Sequence, residues 1–372
     1  MSDFFDFFQD YDFSSLNKIL EQDDKEKVNR VLKKDEIDYN DFLYLLSSGA
    51  VSILPEIAGK ARNLTIKRFG KVINLYAPIY LSNECSNSCV YCGFNHSRNI
   101  KRITLVPDVY ENEMKILKSQ GFDNILLLTG ESQKSAGVDY ISEAVRTAKK
   151  YFTYIGLEVY PMSIEDYKKL VDAGASGLTI YQETYDMGTY DRIHPSGRKR
   201  DFKWRLTTPD RAFEAGFRKV GLGSLLGLSG WKYEAAMLGM HALYLRKKYW
   251  KGEVTVSFPR MNPVETSYGI PHPVSDRELV WMICALRLLL PESGFVLSTR
   301  EKPEFRDKLI DLCVTQLSAG SKTNPGGYSG DQYDNQFEVS DKRNLSEMMK
   351  LISGKGYDPV LKDWEINFSG IK

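Results

Sequence analysis

Three cysteines, Cys85, Cys89 and Cys92, lie in one short stretch of the sequence, NECSNSCVYC. The whole chain holds five cysteines, so more than half of its thiols fall within this stretch. Thiolates bind soft metals, and a structural zinc site or a four-cysteine iron–sulfur cluster needs a fourth ligand. The sequence offers no fourth cysteine nearby. Three thiolates on a four-iron cluster would leave one iron open to a small chelating molecule, to which it could deliver an electron.

The other two cysteines, Cys284 and Cys313, lie in the apolar stretches LVWMICALRLLL and LIDLCVTQL. Free cysteine is among the most buried residue types, so we predict that both lie in the core. His96 is close enough in sequence to be a zinc ligand, which makes zinc the structural alternative. An iron–sulfur electron carrier and a zinc-stabilised binding module are the non-catalytic alternatives, but each would need a fourth ligand.

The composition is that of an ordinary globular protein, with 42% hydrophobic residues, 27% charged residues and a formal net charge of +1. Without a basic excess, neither nucleic acid nor anionic lipid is an expected partner. The N-terminus, MSDFFDFFQDYDF, is acidic and aromatic, unlike a secretory signal, and no uncharged apolar run is long enough to span a bilayer. We therefore expect a cytoplasmic protein without a membrane partner. In that reducing compartment, clustered cysteines are typical of metal or redox chemistry.

The elements that must position the cysteines are indicated by eight short apolar runs, each followed by a helical stretch. Pro107 suits the first turn of one helix and Ser163 can cap another, while Gly121 and Gly174 can end them. Eight such units predict an α/β fold, a closed (β/α)8 barrel of the TIM type, with an open doubly wound sheet as the alternative. The runs are YAPIYLS, NILLLTG, IGLEVYP, GLTIYQE, KVGLGSLLG, VTVSFPR, FVLSTR and VTQLSAGS.

The periodicity divides the chain into three predicted parts. Residues 1–72 have apolar residues near helical spacing and no clear strand, which predicts a helical N-terminal extension. Residues 73–320 form the predicted barrel. Residues 321–372 read as a loop, KTNPGGYSGDQYDNQF, followed by one helix, NLSEMMKLISGKG, that closes the barrel.

Polar residues follow nearly every predicted strand, and barrel enzymes place their chemistry at the C-terminal ends of the strands. Charge at strand ends also occurs on an ordinary solvated surface, so no single residue is decisive. Their recurrence on nearly every strand favours a functional site. The residues are Thr129, Gly130, Glu131, Glu158, Glu183, Gly221, Gly223, Arg260, Ser298, Arg300 and Ser318.

The motif CSNSCVYC, with Tyr91 before its third cysteine, resembles the CxxxCxxC signature of the radical S-adenosylmethionine enzymes. The segments QGFDNILLLTGESQ, LTIYQETYDMGTYDRIHPSGRK, VSFPRMNP, LSTRE and SAGSKTNPGGY further resemble the 2-iminoacetate synthases, the tyrosine lyases of anaerobic thiamine synthesis. This resemblance implies a [4Fe–4S] cluster on the three cysteines and S-adenosylmethionine as cofactor. It implies cleavage of the Cα–Cβ bond of L-tyrosine to 2-iminoacetate and p-cresol. A flavodoxin- or ferredoxin-type electron donor and a thiazole synthase are the implied protein partners.

The resemblance also implies roles for single residues in cofactor binding. Thr129, Gly130 and Glu131 stand where these enzymes have a Gly-Gly-Glu-like turn for the methionine amino group, and Thr129 departs from that pattern. Arg205 corresponds to an arginine that reaches the methionine carboxylate, for which a guanidinium fork is well suited. The other implied cofactor contacts are Tyr91 beside the cluster, Glu158 and Glu183 for ribose or amino groups, and Gly221 and Gly223 for close approach to the adenine.

Substrate binding is assigned to Arg260 and Arg300, which we expect to clamp the tyrosine carboxylate, with Ser298 and Ser318 as lesser donors. A buried arginine without an anion is costly, so an arginine with a purely structural role needs a carboxylate partner in the barrel wall. Two related enzymes are alternatives. The maturase that makes cyanide and carbon monoxide for iron hydrogenases carries a second cysteine motif in a C-terminal domain, and this chain has no cysteine after Cys313. The residues do not distinguish a tryptophan lyase of the same superfamily from a tyrosine lyase.

Overall fold

A computed structural model describes residues 3–11, 13–262 and 268–362. Pro263 of the VSFPRMNP motif, the first two residues and residues 363–372 of the predicted C-terminal part lie outside the described residues. The strands are β1 (Val72–Ser82), β2 (Asn124–Thr129), β3 (Tyr154–Glu158), β4 (Gly177–Glu183), β5 (Lys219–Ser224), β6 (Glu253–Ser257), β7 (Gly294–Leu297), β8 (Gln316–Ser318) and β9 (Asp358–Val360).

Strands β1 to β8 form a closed parallel barrel. They pair in chain order, and β1 pairs with both β2 and β8, so the sheet has no open edge between its first and last strands. Strand β9 adds to the start of β1, where Asp358 lies opposite Val72. The predicted (β/α)8 barrel is confirmed, and the open doubly wound sheet is wrong.

Helices cover the outside of the barrel and precede it. Two short 3₁₀ turns, Ser48–Ile53 and Arg198–Arg200, supplement them. The helices are α1 (Phe4–Gln9), α2 (Phe13–Glu21), α3 (Lys25–Leu32), α4 (Tyr39–Leu46), α5 (Leu54–Phe69), α6 (Pro107–Ser119), α7 (Val138–Ala148), α8 (Ile164–Ala173), α9 (Met187–Ile193), α10 (Phe202–Leu206), α11 (Thr208–Ala215), α12 (Trp231–Lys248), α13 (Asp276–Leu289), α14 (Pro303–Ile310) and α15 (Leu345–Gly354).

The local signals in the sequence place helix ends correctly. Pro107 occupies the first turn of α6, where its missing N–H costs nothing. The Ser163 hydroxyl accepts the N–H of Asp166 at 3.1 Å and so caps α8. Gly174 ends that helix in the left-handed region, with φ of 117°, which glycine adopts without steric cost.

Helices α4 and α5 pack on α12 and α13 of the barrel's outer layer, while α2 and α3 pack on α4. The ring of Phe4 in α1 stacks on that of His241 in α12, with centroids 3.9 Å apart. Among the described residues, no single helix is long and apolar enough to cross a membrane. The helical segments Tyr39–Leu46 and Ser48–Phe69 are long and apolar enough only when they are counted together, and a 77° bend separates them.

The segment after β8 lies against the first strand. The hydroxyl of Tyr80 in β1 donates to Gln336 Oε1 at 2.7 Å, and the hydroxyl of Tyr328 donates to the Pro78 carbonyl at 2.8 Å. Farther along, Asp341 forms a fully buried ion pair with Arg306 of α14. The division of the chain at residues 72 and 320 stays a prediction.

Candidate active site

The three clustered cysteines lie in the loop that follows β1, at the C-terminal end of the barrel. All three are free thiols; Cys89 is buried, and Cys85 and Cys92 are partly buried. The His96 ring contacts the Cys85 carbonyl oxygen, with Nδ1 at 3.0 Å. Within the described part of the chain, no three His, Cys, Asp or Glu side chains are arranged to hold one metal ion. The described residues thus have three free thiols in one loop at the barrel mouth, without a ready-made site for a single metal ion.

The turn after β2 braces this loop. A Cβ atom on Gly130 would lie 2.3 Å from the Glu84 carbonyl oxygen, so only glycine allows the turn to pack so closely. Glu131 accepts the side-chain amide of Asn87 at 2.7 Å. The Thr129 hydroxyl is buried and has no hydrogen-bond partner among the described residues. Such a hydroxyl is what a bound polar ligand would satisfy.

Two small cavities lie side by side inside the mouth of the barrel. The first, of about 80 Å³, is lined by Cys92 and Tyr91 together with polar side chains from later strands. The second, of about 50 Å³, shares Glu158 and Arg300 with the first and adds deeper polar side chains. The structure therefore brings together five of the eleven residues predicted from the strand ends, and it adds Tyr91 and Cys92 of the cysteine loop. The predicted residues that line one or both cavities are Tyr91, Cys92, Glu158, Glu183, Ser298, Arg300 and Ser318.

Glu183 ends β4 in a strained conformation, with φ of 71°. Its carboxylate lies 2.6 Å from Lys199 Nζ and 3.4 Å from a terminal nitrogen of Arg205. Burial opposes ionisation of Glu183, but Lys199 and Arg205 outweigh it and hold its pKa below the usual range. Arg205 Nε also donates to the Tyr181 carbonyl at 2.6 Å. Glu183, Lys199 and Arg205 therefore form a buried cluster of one anion and two cations.

Lys199 was not identified from the sequence, although it lines the first cavity. It lies in a basic run, GRKR, that looks like a solvated surface loop. In the structure Lys199 Nζ is 5.6 Å from the centroid of the Tyr91 ring, beside the cysteine loop. No local signal distinguishes it from its neighbours Arg198 and Arg200, because its burial depends on the distant β4 end.

Tyr91 is fixed by a neutral histidine. Its hydroxyl lies 2.9 Å from His194 Nε2, and His194 Nδ1 lies 2.9 Å from the Tyr190 carbonyl. A carbonyl can only accept, so Nδ1 carries the proton and Nε2 accepts from Tyr91. Burial lowers the pKa of His194 to about 3, which agrees with the neutral ring.

Glu158 faces both cavities and has no hydrogen-bond partner among the described residues. Burial raises the pKa of Glu158 to about 7, although the positive charge of Arg300 acts in the opposite direction. The carboxyl group can therefore change its protonation state near neutral pH. It lies where a ligand in either cavity would meet it.

The two predicted clamp arginines differ sharply. Arg260 lines neither cavity and is paired with Glu301 and with Asp276, the latter at 2.8 Å. It thus has the carboxylate partners that a structural arginine needs. Arg300 lines both cavities, stacks 3.4 Å above the Phe337 ring centroid and has no carboxylate partner among the described residues. Contact between Arg260 and a substrate stays a prediction, and its ion pairs count against it.

The glycines of β5 make room for side chains of the neighbouring strands. A Cβ atom on Gly223 would lie 2.5 Å from the Tyr181 ring, and one on Gly221 would lie 2.8 Å from Thr179 Oγ1. The Tyr181 ring lines both cavities. No local signal in the sequence indicates that Tyr181 fills the space beside Gly223 or that Thr179 lies against Gly221. Their contact with an adenine stays a prediction.

The comparisons with known proteins agree with this geometry. The Radical SAM superfamily profile matches residues 79–237, and that of the Biotin and Thiamin Synthesis associated domain matches residues 257–358. The chain is 42% identical to 2-iminoacetate synthase of Salmonella typhimurium over 91% of this chain and 90% of that protein. It is 39% identical to the Escherichia coli 2-iminoacetate synthase over 98% and 97%. The crystal structure of HydG, a maturase of the [FeFe]-hydrogenase, matches with TM-score 0.88 and 34% identity over 94% of this chain and 79% of that chain.

Proposed function

Because the chain belongs to the 2-iminoacetate synthase family of radical S-adenosylmethionine enzymes, we propose that its barrel binds L-tyrosine with Arg300 and cleaves the Cα–Cβ bond. The products are 2-iminoacetate, which supplies the glycine imine for the thiazole of thiamine, and p-cresol. The observation that carries the residue assignment is the unpaired Arg300 guanidinium beside Cys92. A guanidinium that lines a cavity and forms no ion pair with a protein carboxylate is free to bind a ligand carboxylate.

The residues present fit the family cofactors. Cys85, Cys89 and Cys92 would hold a [4Fe–4S] cluster through three thiolates. When bound, the cluster and S-adenosylmethionine supply the radical that abstracts hydrogen from the substrate. The buried, unpartnered Thr129 hydroxyl and the adjacent Glu131 lie where the cysteine loop meets β2, as a site for an amino group requires.

The charges of the site suit two amino acid zwitterions. The site has three positive side chains, Lys199, Arg205 and Arg300. Glu183 is its one carboxylate whose pKa is held below the usual range, so it stays ionised. Arg205 uses Nε and one terminal nitrogen within the protein, which leaves its other terminal nitrogen for the methionine carboxylate. Arg300 is then available for the tyrosine carboxylate, with Ser298 and Ser318 beside it in the second cavity.

The barrel also confines the reaction. Fixing the substrate hydrogen near the radical source supplies the positional part of the rate enhancement. Both cavities lie inside the mouth of the barrel, where the surrounding side chains shield the reacting atoms from bulk water. We further propose that a flavodoxin- or ferredoxin-type protein supplies the electron and that a thiazole synthase consumes the imine. The family relationship supports both partners.

The decisive experiment is an anaerobic product analysis. Given L-tyrosine, S-adenosylmethionine and a reductant, the reconstituted protein should form p-cresol, 5′-deoxyadenosine and glyoxylate, the last by hydrolysis of the imine. A Cys89→Ala protein is the control and should form none of them. Turnover of tryptophan without formation of p-cresol from tyrosine would instead make the protein a tryptophan lyase.

The similarity to HydG favours one second candidate, a tyrosine lyase that breaks the fragment down to cyanide and carbon monoxide. That chemistry needs a second metal site for the fragment, and the sequence after Cys313 contains neither cysteine nor histidine. A cyanide trap in the same reaction should therefore stay empty. Cyanide formed in proportion to p-cresol would overturn the thiamine assignment.

A further inference from the structure

Glu234 of helix α12 is a buried carboxylate without a cation beside it. Its side chain belongs to a residue 1% exposed, and the described residues contain no ion pair to it. Both of its oxygens accept the backbone N–H of Tyr185, at 3.2 and 3.1 Å, and one also accepts the Thr184 hydroxyl. Burial raises the pKa of Glu234 to about 7 despite these hydrogen bonds. A buried carboxylate without a cation costs folding free energy, which favours a functional role for the contacts that it makes.

The two residues that Glu234 holds follow directly after Glu183. Glu183 is the one non-glycine residue with positive φ in the described part of the chain. A strained residue keeps such a conformation only when its surroundings impose it. Three contacts impose the path of the chain here: those of Glu234, the N–H of Asp186 on Thr184 Oγ1 at 3.1 Å, and the Tyr185 hydroxyl beside His241 Nδ1 at 3.0 Å.

We propose that Glu234 is a positioning residue for the S-adenosylmethionine site. By holding Thr184 and Tyr185, it keeps the Glu183 backbone in the strained conformation. That conformation directs the Glu183 carboxylate to Lys199 and Arg205. Glu234 itself lines neither cavity, so its effect passes through Glu183. This inference rests on the proposed function, since it concerns the same cofactor site.

The test compares two buried carboxylates with similar bonding. Glu113 is also 1% exposed and accepts a backbone N–H, that of Tyr328, at 3.0 Å. It holds the segment after β8 and does not contact the β4 end. Glu113→Gln is therefore the matched control for Glu234→Gln. Glutamine keeps the size of the side chain and one acceptor oxygen. Its amide nitrogen, however, is a donor in a position 3.1 Å from the Tyr185 nitrogen, where it opposes the Tyr185 N–H and weakens the hold on this segment.

Two measurements report on the site. The first is equilibrium binding of S-adenosylmethionine to the reconstituted protein, together with the KM values for both substrates. The second is hydrogen exchange of amides 183–186 in protein without S-adenosylmethionine. For Glu234→Gln we expect faster exchange at these amides and about tenfold weaker S-adenosylmethionine binding, with an unchanged KM for tyrosine and unchanged iron content. Glu113→Gln should leave S-adenosylmethionine binding and hydrogen exchange at amides 183–186 at their wild-type values.

Wild-type S-adenosylmethionine affinity in folded Glu234→Gln protein would overturn the inference, as would equal rises in both KM values. If Glu234→Gln does not fold, Thr184→Val is the second variant, because it removes only the hydroxyl that links Glu234 to the Asp186 N–H. It should weaken cofactor binding in the same direction by about threefold, and unchanged binding would again refute the inference. If the wild-type protein itself fails to bind S-adenosylmethionine, the proposed function is wrong, which is a distinguishable result.

Discussion

Replacing Arg300 with methionine should weaken tyrosine binding while leaving the fold intact. The guanidinium lines both cavities and forms no ion pair among the described residues, so its removal breaks no salt bridge; the nearby Glu158 loses a favourable positive charge, which raises its pKa further and favours its neutral form. Methionine can fill the space against the Phe337 ring and keep the apolar packing. The effect of Arg300→Met should therefore appear in substrate binding and not in folding.

The magnitude follows from the bond that is lost. A charge-assisted contact between a guanidinium and a carboxylate is worth about 2 to 4 kcal/mol when it is shielded from water. At about 1.4 kcal/mol per tenfold change, the KM for tyrosine should rise roughly 30-fold to 1,000-fold. Arg300→Lys keeps the charge but loses the fork, so it should fall between wild type and Arg300→Met.

Arg260 supplies the contrast. Arg260→Met leaves Glu301, with a side chain 4% exposed, without its main partner. Breaking a buried pair in this way costs about 3 to 5 kcal/mol of folding free energy. We therefore expect Arg260→Met to unfold at lower temperature, with an ordinary tyrosine KM in the fraction that remains folded.

The assay measures p-cresol formation as a function of tyrosine concentration at saturating S-adenosylmethionine, with 5′-deoxyadenosine followed in parallel. In Arg300→Met, uncoupled 5′-deoxyadenosine formation should persist when p-cresol formation fails, because the proposed contacts to S-adenosylmethionine are made by other residues. A raised tyrosine KM in Arg260→Met with a normal KM in Arg300→Met would refute the assignment of the two arginines.

Three further predictions follow from the structure. Cys85→Ala should lose bound iron and cofactor cleavage, whereas Cys313→Ala should keep both because that thiol is fully buried in the core; iron analysis of the folded proteins compares them. Asp341→Ala leaves Arg306 buried without its partner and should lower the free energy of unfolding by about 3 to 5 kcal/mol; an unchanged denaturation midpoint would contradict this. Burial raises the pKa of Glu158 to about 7, above its unfolded value of about 4.3, so the folded state binds that proton more tightly and Glu158 lowers stability as pH rises through this range. Glu158→Gln should therefore raise the unfolding temperature relative to wild type at about pH 8 and much less at about pH 4.5; equal shifts at both pH values would argue against a buried, titrating Glu158.

The barrel could be predicted from the sequence because its signals are local. Each strand is a short apolar run, and each helix carries its own start and stop residues, such as Ser163 and Gly174. The cysteine loop could be located for the same reason, since its three thiols lie within eight residues of one another. The ends of parallel strands meet at one face, so the strand-end residues Glu158 and Arg300 could also be expected to meet.

The charge partners could not be predicted, because they depend on contacts between distant parts of the chain. Arg260 and Arg300 look alike in sequence, since each follows a predicted strand. Their difference arises from Asp276 at the start of α13 and from Glu301, which turns towards Arg260 and not towards its neighbour. Lys199 was missed for a related reason: its partner Glu183 lies in another element, 2.6 Å away in space.

The segment after β8 contributes Phe337 to the lining of both cavities. A carboxylate partner fixes an arginine but neutralises it, as Glu301 does for Arg260. An aromatic ring fixes the guanidinium plane by stacking and leaves its charge available to a ligand. Phe337 lies 3.4 Å from Arg300, and the hydrogen bond from Tyr80 to the adjacent Gln336 ties this part of the segment to β1. The segment therefore orients Arg300 without neutralising it, as the proposed contact with the tyrosine carboxylate requires.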